Sequence, residues 1–259
     1  MMATRRIVRG KVWLVGAGPG DPELLTLRAA RVLAEADVVA YDELVAPEIL
    51  AMAPAEAERI AVGRRAGGCK HHDAKIHPAV LSRALEGKTV VRLKGGDPLV
   101  FGRGGEEAEE LAAARVPFEI VPGISAALGA AASTHIPLTH REVARSVTFC
   151  TAHATKGTVD IARSVPAEGT VVFYMGLGSL DATCAALIDA GRPPTTPAAV
   201  VSRATTSDER IVVGTLADVA RLVAEAHLPA PALFIVGDVV AHAVESPADL
   251  RELAARAVG

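Results

Sequence analysis

An α/β fold in two halves is predicted by three features of the 259-residue sequence. Short β-branched runs alternate with Ala/Leu-rich amphipathic stretches along the chain. Glycine, proline and charged residues gather just after the early β-branched runs, where parallel strands leave a sheet. At roughly 150 residues per domain, the length suits one large domain or two modest ones.

Composition narrows the function classes. Hydrophobic residues make up 50% and charged residues 22% of the chain, which excludes wholesale disorder. Aromatics are only 3%, so Ala, Val, Leu and Ile must build the core, and aromatic-lined readers of single-stranded nucleic acid or polyproline are disfavoured. A net charge of −3, from 27 Lys+Arg against 30 Asp+Glu, supplies no global attraction to nucleic acid or an anionic membrane. An anionic ligand must be met by a local patch. The longest charge-free stretch, 120–139, is broken by Pro122, Gly123, Gly129 and Pro137, so no membrane span is predicted. The basic opening lacks a following apolar segment and is not a secretory signal; Arg5, Arg6 and Arg9 read as a flexible arm. Cys69, Cys150 and Cys184 are widely separated, with no CxxC pair. They point to a reducing cytoplasm rather than a disulfide scaffold or structural zinc.

The elements follow in order. Residues 12–16 read as a strand, and Asp21 caps a helix that starts at Pro22 and runs to about 36, with Leu24, Leu27 and Ala30 or Arg31 stepping by three or four along it. Strands follow at 37–41, 59–63 and 88–93, with a helix around 76–85 closed by Gly87. A helix at 104–114 and a strand at 118–121 complete the first half. In the second half, 124–132 is helical, 146–151 and 170–175 are strands, and 179–190 is a helix closed by Gly191. Strands 198–202 and 210–213 are close enough to pair antiparallel. Thr215 and Asp218 form a capping arrangement before a helix to Ala226; strand 232–236 and a short helical tail end the pattern. The division falls near Pro122, giving domains 1–122 and 123–259.

In the first half the unusual residues all lie just after strands: Gly16 to Asp21, Tyr41 to Leu44, Gly63 to Gly68, Lys94 to Pro98 and Val121 to Ser125. If those strands are parallel, the five loops share one rim, where open α/β sheets bind ligands. A dinucleotide site is the obvious guess, but it fits poorly: the sixth position of GxGxxG from Gly16 is Asp21, an acid that would repel a pyrophosphate at the helix start. No Gly-Lys-Ser/Thr follows, so a P-loop is absent. Taken alone, these glycines also suit an ordinary tight turn, Asp42 a turn residue, Met175 core filling, and Arg103 with Glu106 a solvated ion pair. His71, His72 and His77 have no Cys or acid at firm ligand spacing, and no metal site is predicted.

Several runs together carry a more specific signal. They are Val15 to Thr26 (VGAGPGDPELLT), Tyr41 to Val45 (YDELV), Val90 to Glu107 (VVRLKGGDPLVFGRGGEE), Pro122 to Ser125 (PGIS), Ile136 to Arg141 (IPLTHR), Phe173 to Gly176 (FYMG) and Pro231 to Val240. On these the chain resembles the uroporphyrinogen-III C-methyltransferases, within the tetrapyrrole methylase family, from about Lys11 to Val240. With no oxidase and ferrochelatase module ahead of it, the resemblance is to the one-function form. It implies a two-domain α/β enzyme of tetrapyrrole methylase fold, usually a homodimer, with S-adenosylmethionine in the cleft between domains. The implied reaction methylates uroporphyrinogen III at C2 and C7, giving precorrin-2 by way of precorrin-1 and leaving S-adenosylhomocysteine.

Residue by residue, the resemblance implies that Pro19, Gly95, Gly96, Asp97, Val100, Ser125, Ala126, Met175 and Ala204 line the S-adenosylmethionine site, with 231–233 near the adenine. Arg103 and Arg141 match substrate-binding arginines, and Glu106 a group that can meet a pyrrole N–H. Asp42 matches the proton acceptor. These types suit the chemistry: a methyl on a sulfonium cation moves to a pyrrole carbon without a metal or covalent intermediate, and arginine forks grip the carboxylates of the tetrapyrrole. Two positions depart from the family. Arg64 stands where a lysine proton donor is usual; because arginine does not release its proton, Arg64 reads as a carboxylate clamp. Ala204 stands where glycine is usual, and is strained if the backbone there has positive φ. The competing readings are a later precorrin methyltransferase, a nicotinamide oxidoreductase and a non-catalytic paralogue.

Overall fold

A computed structural model describes residues 10–62, 76–152 and 165–244. The chain divides into two compact units, Met1–Ala126 and Ala127–Gly259. Arg64, Cys69, His71, His72, the basic arm and the residues beyond 244 lie outside the described residues, while the tail expected after the last strand is seen as a 3₁₀ helix at Asp238–His242.

The first unit is a five-stranded sheet: β1 (Lys11–Gly16), β2 (Val38–Tyr41), β3 (Glu58–Ala61), β4 (Thr89–Lys94) and β5 (Phe118–Val121). The order is β3-β2-β4-β1-β5, and every pairing is parallel. The central strands β1 and β4 are almost wholly buried, as a sheet covered on both faces requires. Strand alternation splits the core in two. Val15, Val39, Leu93 and Val121 face helix α1 (Leu27–Ala34) through Ala29, Val32 and Leu33. Leu14, Ala40 and Val90 face the other way, against Val80 and Ala84 of α3 (Pro78–Leu85) and Leu111 of α4 (Gly104–Ala113).

Three details differ from the sequence expectation. The first helix is two pieces, a 3₁₀ turn Pro22–Leu24 and then α1, because Leu25 is extended (φ −70°, ψ 135°) and Thr26 restarts the helix with its Oγ1 accepting from Ala29 N at 3.1 Å. The buried stripe is consequently Ala29, Val32 and Leu33, while Leu27 is 92% exposed. A short helix α2 (Pro47–Leu50), started by a proline at its first position, is additional. The third helix begins at Pro78 with His77 as its cap, Nδ1 accepting from Ala79 N at 3.2 Å.

The second unit begins with helix α5, which spans Ala126–Thr134, and carries β6 (Val147–Thr151), β7 (Thr170–Tyr174), β8 (Pro197–Ser202), β9 (Arg210–Thr215) and β10 (Ala232–Val236). The order is β6-β7-β10-β8-β9, with β6 and β7 parallel and the other pairs antiparallel. The expected β8–β9 pair forms, from Pro197↔Thr215 to Ser202↔Arg210. Helices α6 (Leu180–Asp189) and α7 (Val219–Glu225) close a core around Phe173 and Phe234, whose rings stack at 5.7 Å. Asp218 Oδ1 accepts from Thr215 N at 2.7 Å and from its hydroxyl at 2.8 Å, just ahead of α7. Gly87 (φ +91°) and Gly191 (φ +99°) end their helices in left-handed turns. Among the described residues no helix is long and apolar enough to cross a membrane.

Cys184 is buried in α6, and desolvation, helped by Asp181, pushes its thiol up to about 11. From an ordinary value of 9.0, that lowers the thiolate fraction near neutral pH by roughly 100-fold. Alkylation of Cys184 at pH 8, followed by peptide mass spectrometry, is expected to be slower in the native than the unfolded chain by at least that factor; equal rates would contradict the burial.

Candidate active site on the sheet rim

The strand order places one break in direction at the carboxyl edge of the first sheet. From β1 the chain leaves through α1 over one face towards β2; from its neighbour β4 it leaves through α4 over the other face towards β5. The chain leaves β1 and β4 towards opposite faces at this switch point, the place where parallel sheets hold ligands. Gly18 and Gly96 bridge it, with Gly96 N donating to Gly18 O at 2.7 Å and Gly18 N to Gly96 O at 3.2 Å. Both are left-handed, with φ +77° and +66°. A Cβ on Gly123 would stand 2.3 Å from Gly96 O, and one on Gly16 2.5 Å from Gly123 N. Glycine is needed here because three backbones touch.

Asp97 ties this rim together: Oδ1 accepts from Leu99 N at 2.8 Å and Oδ2 from Gly123 N at 3.1 Å. A methyl on Gly96 would reach Ala126 N at 3.7 Å and Ser125 Cα at 3.9 Å, so Gly96, Asp97, Ser125 and Ala126 share one neighbourhood. Pro19 and Gly95 lie on the same loops, and Val100 begins the approach to α4.

Asp42 follows β2 directly, with its backbone N donating to Leu93 O at 3.2 Å. Its Oδ1 accepts from Arg92 Nη2 at 2.6 Å. Arg92 Nε donates to Glu107 Oε1 at 3.0 Å, and Lys94 Nζ stands 3.1 Å from Glu107 Oε2 as an ion pair without hydrogen-bond geometry. The side chains of Arg92, Lys94 and Glu107 are 4–6% exposed, against 26% for Asp42. Burial pushes the Lys94 ammonium below the usual lysine range, with Arg92 adding to the shift and Glu107 and Asp42 opposing it. Two cations and two carboxylates thus cancel formally inside the sheet, and only Asp42 reaches towards solvent. Sequence reasoning missed Arg92, Lys94 and Glu107. The available signal was Arg92 and Lys94 two apart in a central, otherwise apolar strand, where charges must be paired.

Arg103 caps α4 in a left-handed conformation (φ +58°), and its Nε pairs with Glu106 Oε1 at 3.3 Å on the exposed side of the helix. In the second unit, Met175 is left-handed (φ +56°) and 56% exposed after β7. Ala204 is buried, and the left-handed residues there are its neighbours Arg203 (φ 49°) and Thr205 (φ 66°), so the alanine is unstrained. Arg141 lines an open concavity of about 430 Å³ with Thr139, His140, Ala144 and Arg145. Among the described residues neither arginine side chain has a hydrogen-bond or ion-pair partner.

Together the fold and rim define an α/β protein whose parallel sheet ends in a rim of touching backbones with the Asp42 carboxylate on the same edge. A family model described as Tetrapyrrole (Corrin/Porphyrin) Methylases matches residues 11–220, and the chain belongs to that family. A siroheme synthase of Pseudomonas fluorescens (strain SBW25) is 54% identical over 233 residues, covering 89% of this chain and 50% of the relative; the chain spans about half the length of the curated relatives it matches. The structure of uroporphyrin-III C-methyl transferase from Thermus thermophilus complexed with S-adenyl homocysteine is 42% identical, covers 89% of this chain and 99% of its own, and superposes with a TM-score of 0.78. A cobalt precorrin-4 methyltransferase superposes with a TM-score of 0.79 at 29% identity, covering 89% and 95%.

The backbone crowding yields a direct prediction. Gly123→Ala is expected to destabilise the protein by about 1–3 kcal/mol or more, because the facing atoms are backbone. Denaturant unfolding checks this, and an unchanged midpoint would contradict the close approach.

Proposed function

We propose that this chain is an S-adenosylmethionine-dependent C-methyltransferase that methylates uroporphyrinogen III at C2 and C7, giving precorrin-2 via precorrin-1. The observation that carries the reading is the three-glycine contact at the switch point, with Asp42 on the same edge of the sheet. Membership of the methylase family and the likeness to the Thermus thermophilus enzyme support it. In this reading the protein is a cytoplasmic homodimer without metal or nucleic-acid partner.

The residues present suit the cofactor. Gly95, Gly96, Ser125 and Ala126 would hold it by backbone contacts, with Pro19 and Val100 beside them and Asp97 bracing the loops; Met175 and Ala204 are the further positions that the family resemblance assigns to the cofactor. When bound, it supplies an electrophilic methyl group. Orienting a ring carbon in line with that methyl is the chain's main contribution, and orientation of this kind is worth on the order of 7–11 kcal/mol. Arg103 and Arg141 would grip substrate carboxylates, with Arg64 as a further clamp, and Glu106 would meet a pyrrole N–H. Asp42 would accept the proton that the methylated pyrrole gives up; Arg92 holds one of its oxygens. Because Ala204 is unstrained, the departure from glycine leaves this scheme intact.

The second reading, methylation of a later precorrin, rests on the likeness to the cobalt precorrin-4 methyltransferase. Incubation with uroporphyrinogen III and S-adenosylmethionine separates the two. A mass gain of two methyl groups is expected, and recovery of unmodified substrate would favour the later precorrin. Asp42→Asn is expected to lower turnover at least about tenfold while leaving S-adenosylhomocysteine affinity unchanged. Full turnover in that variant would remove Asp42 from the mechanism.

A further inference from the structure

Glu107 lies in the first turn of α4, next to the exposed Arg103–Glu106 pair, yet it points inward and is almost fully buried. A carboxylate in that place needs a reason, since desolvating it costs several kcal/mol unless it is well partnered. Glu107 gives one oxygen to Arg92 Nε and lies beside Lys94 with the other. Arg92 is otherwise held by Leu93 O, which accepts from its Nη1 at 3.1 Å, and spends Nη2 on Asp42. A guanidinium is planar and rigid, so fixing Nε on one edge fixes the direction in which Nη2 points. The carboxylate that receives Nη2 is the most exposed member of the group. Lys94 supplies the charge that keeps the buried set neutral.

We propose that Glu107 is a positioning residue for Asp42: through Arg92 it sets the orientation of the Asp42 carboxylate at the carboxyl edge of the sheet, and Lys94 balances its charge. This rests on the reading of Asp42 as the proton acceptor, and it assigns work to a residue that never meets the substrate. The geometry separates α4 into two roles, an outward pair at Arg103 and Glu106 and an inward anchor one residue later.

A double-mutant cycle on the full chain tests the assignment. Glu107→Met keeps the length but removes the oxygen that accepts from Arg92 Nε, and is expected to lower kcat about tenfold to a hundredfold, with KM and S-adenosylhomocysteine affinity within about twofold of wild type. In the Asp42→Asn background the same change is expected to cost nothing further, because its effect runs through that carboxylate. Lys94→Met combined with Glu107→Leu guards against misfolding. It removes a balanced pair in favour of apolar volume, a replacement buried ion pairs often tolerate; an unchanged melting temperature with the same loss of kcat is expected. Wild-type kcat in either variant, or additive losses in the cycle, would overturn the role of Glu107. Full turnover in Asp42→Asn alone would instead overturn the role of Asp42, and with it this inference.

Discussion

Buried charge at the carboxyl end of β4 is the constraint around which the first unit is organised. Arg92 and Lys94 occupy alternate positions of a strand that is covered on both sides, and neither can be left without a counter-charge. Removing one partner of such a set costs about 3–5 kcal/mol, because the remaining charge stays in the interior. Glu107 from α4 and Asp42 from the end of β2 provide the balance. Three elements that are distant in sequence are thereby fixed against one another at the carboxyl edge of the sheet.

The glycine contacts act on the same edge from the other side. The loops after β1, β4 and β5 come within backbone contact at Gly16, Gly96 and Gly123, and Asp97 fastens the second to the third. No side chain fits between them, so the loops meet through amide and carbonyl groups whose positions are set by the sheet. A binding surface of this kind does not depend on mobile side chains. Asp42 is the polar side chain that the neighbouring charge network delivers to its margin. In the proposed reading, binding by backbone and chemistry by a pre-oriented carboxylate are two products of one strand order.

Much of this was legible in the sequence. The five strands of the first half are revealed by short apolar runs that each end in a loop rich in glycine or charge; their parallel pairing, only a condition in the sequence, is what the sheet shows. The antiparallel β8–β9 pair was foreshadowed by the short spacing, and the closures at Gly87 and Gly191 by the residue type itself. The unreadable parts depended on competition between local choices. Leu24, Leu27 and Ala30 make a plausible helical stripe, but the hydroxyl of Thr26 caps a new helix and turns Leu27 outwards. The charge network was hidden because it joins β2, β4 and α4, and no local pattern records that Glu107, rather than Glu106, faces inward. Ala204 was ambiguous for a similar reason: its flanking residues take up the left-handed geometry.

What the rim at the β1–β4 switch point accepts decides the function of the fold. Titration calorimetry of the full chain with S-adenosylhomocysteine, and separately with NAD, addresses this most directly. Saturable binding of S-adenosylhomocysteine at one site per chain, with no heat from NAD, is the result this structure predicts. Binding of NAD in its place would contradict the account, however well the fold agrees.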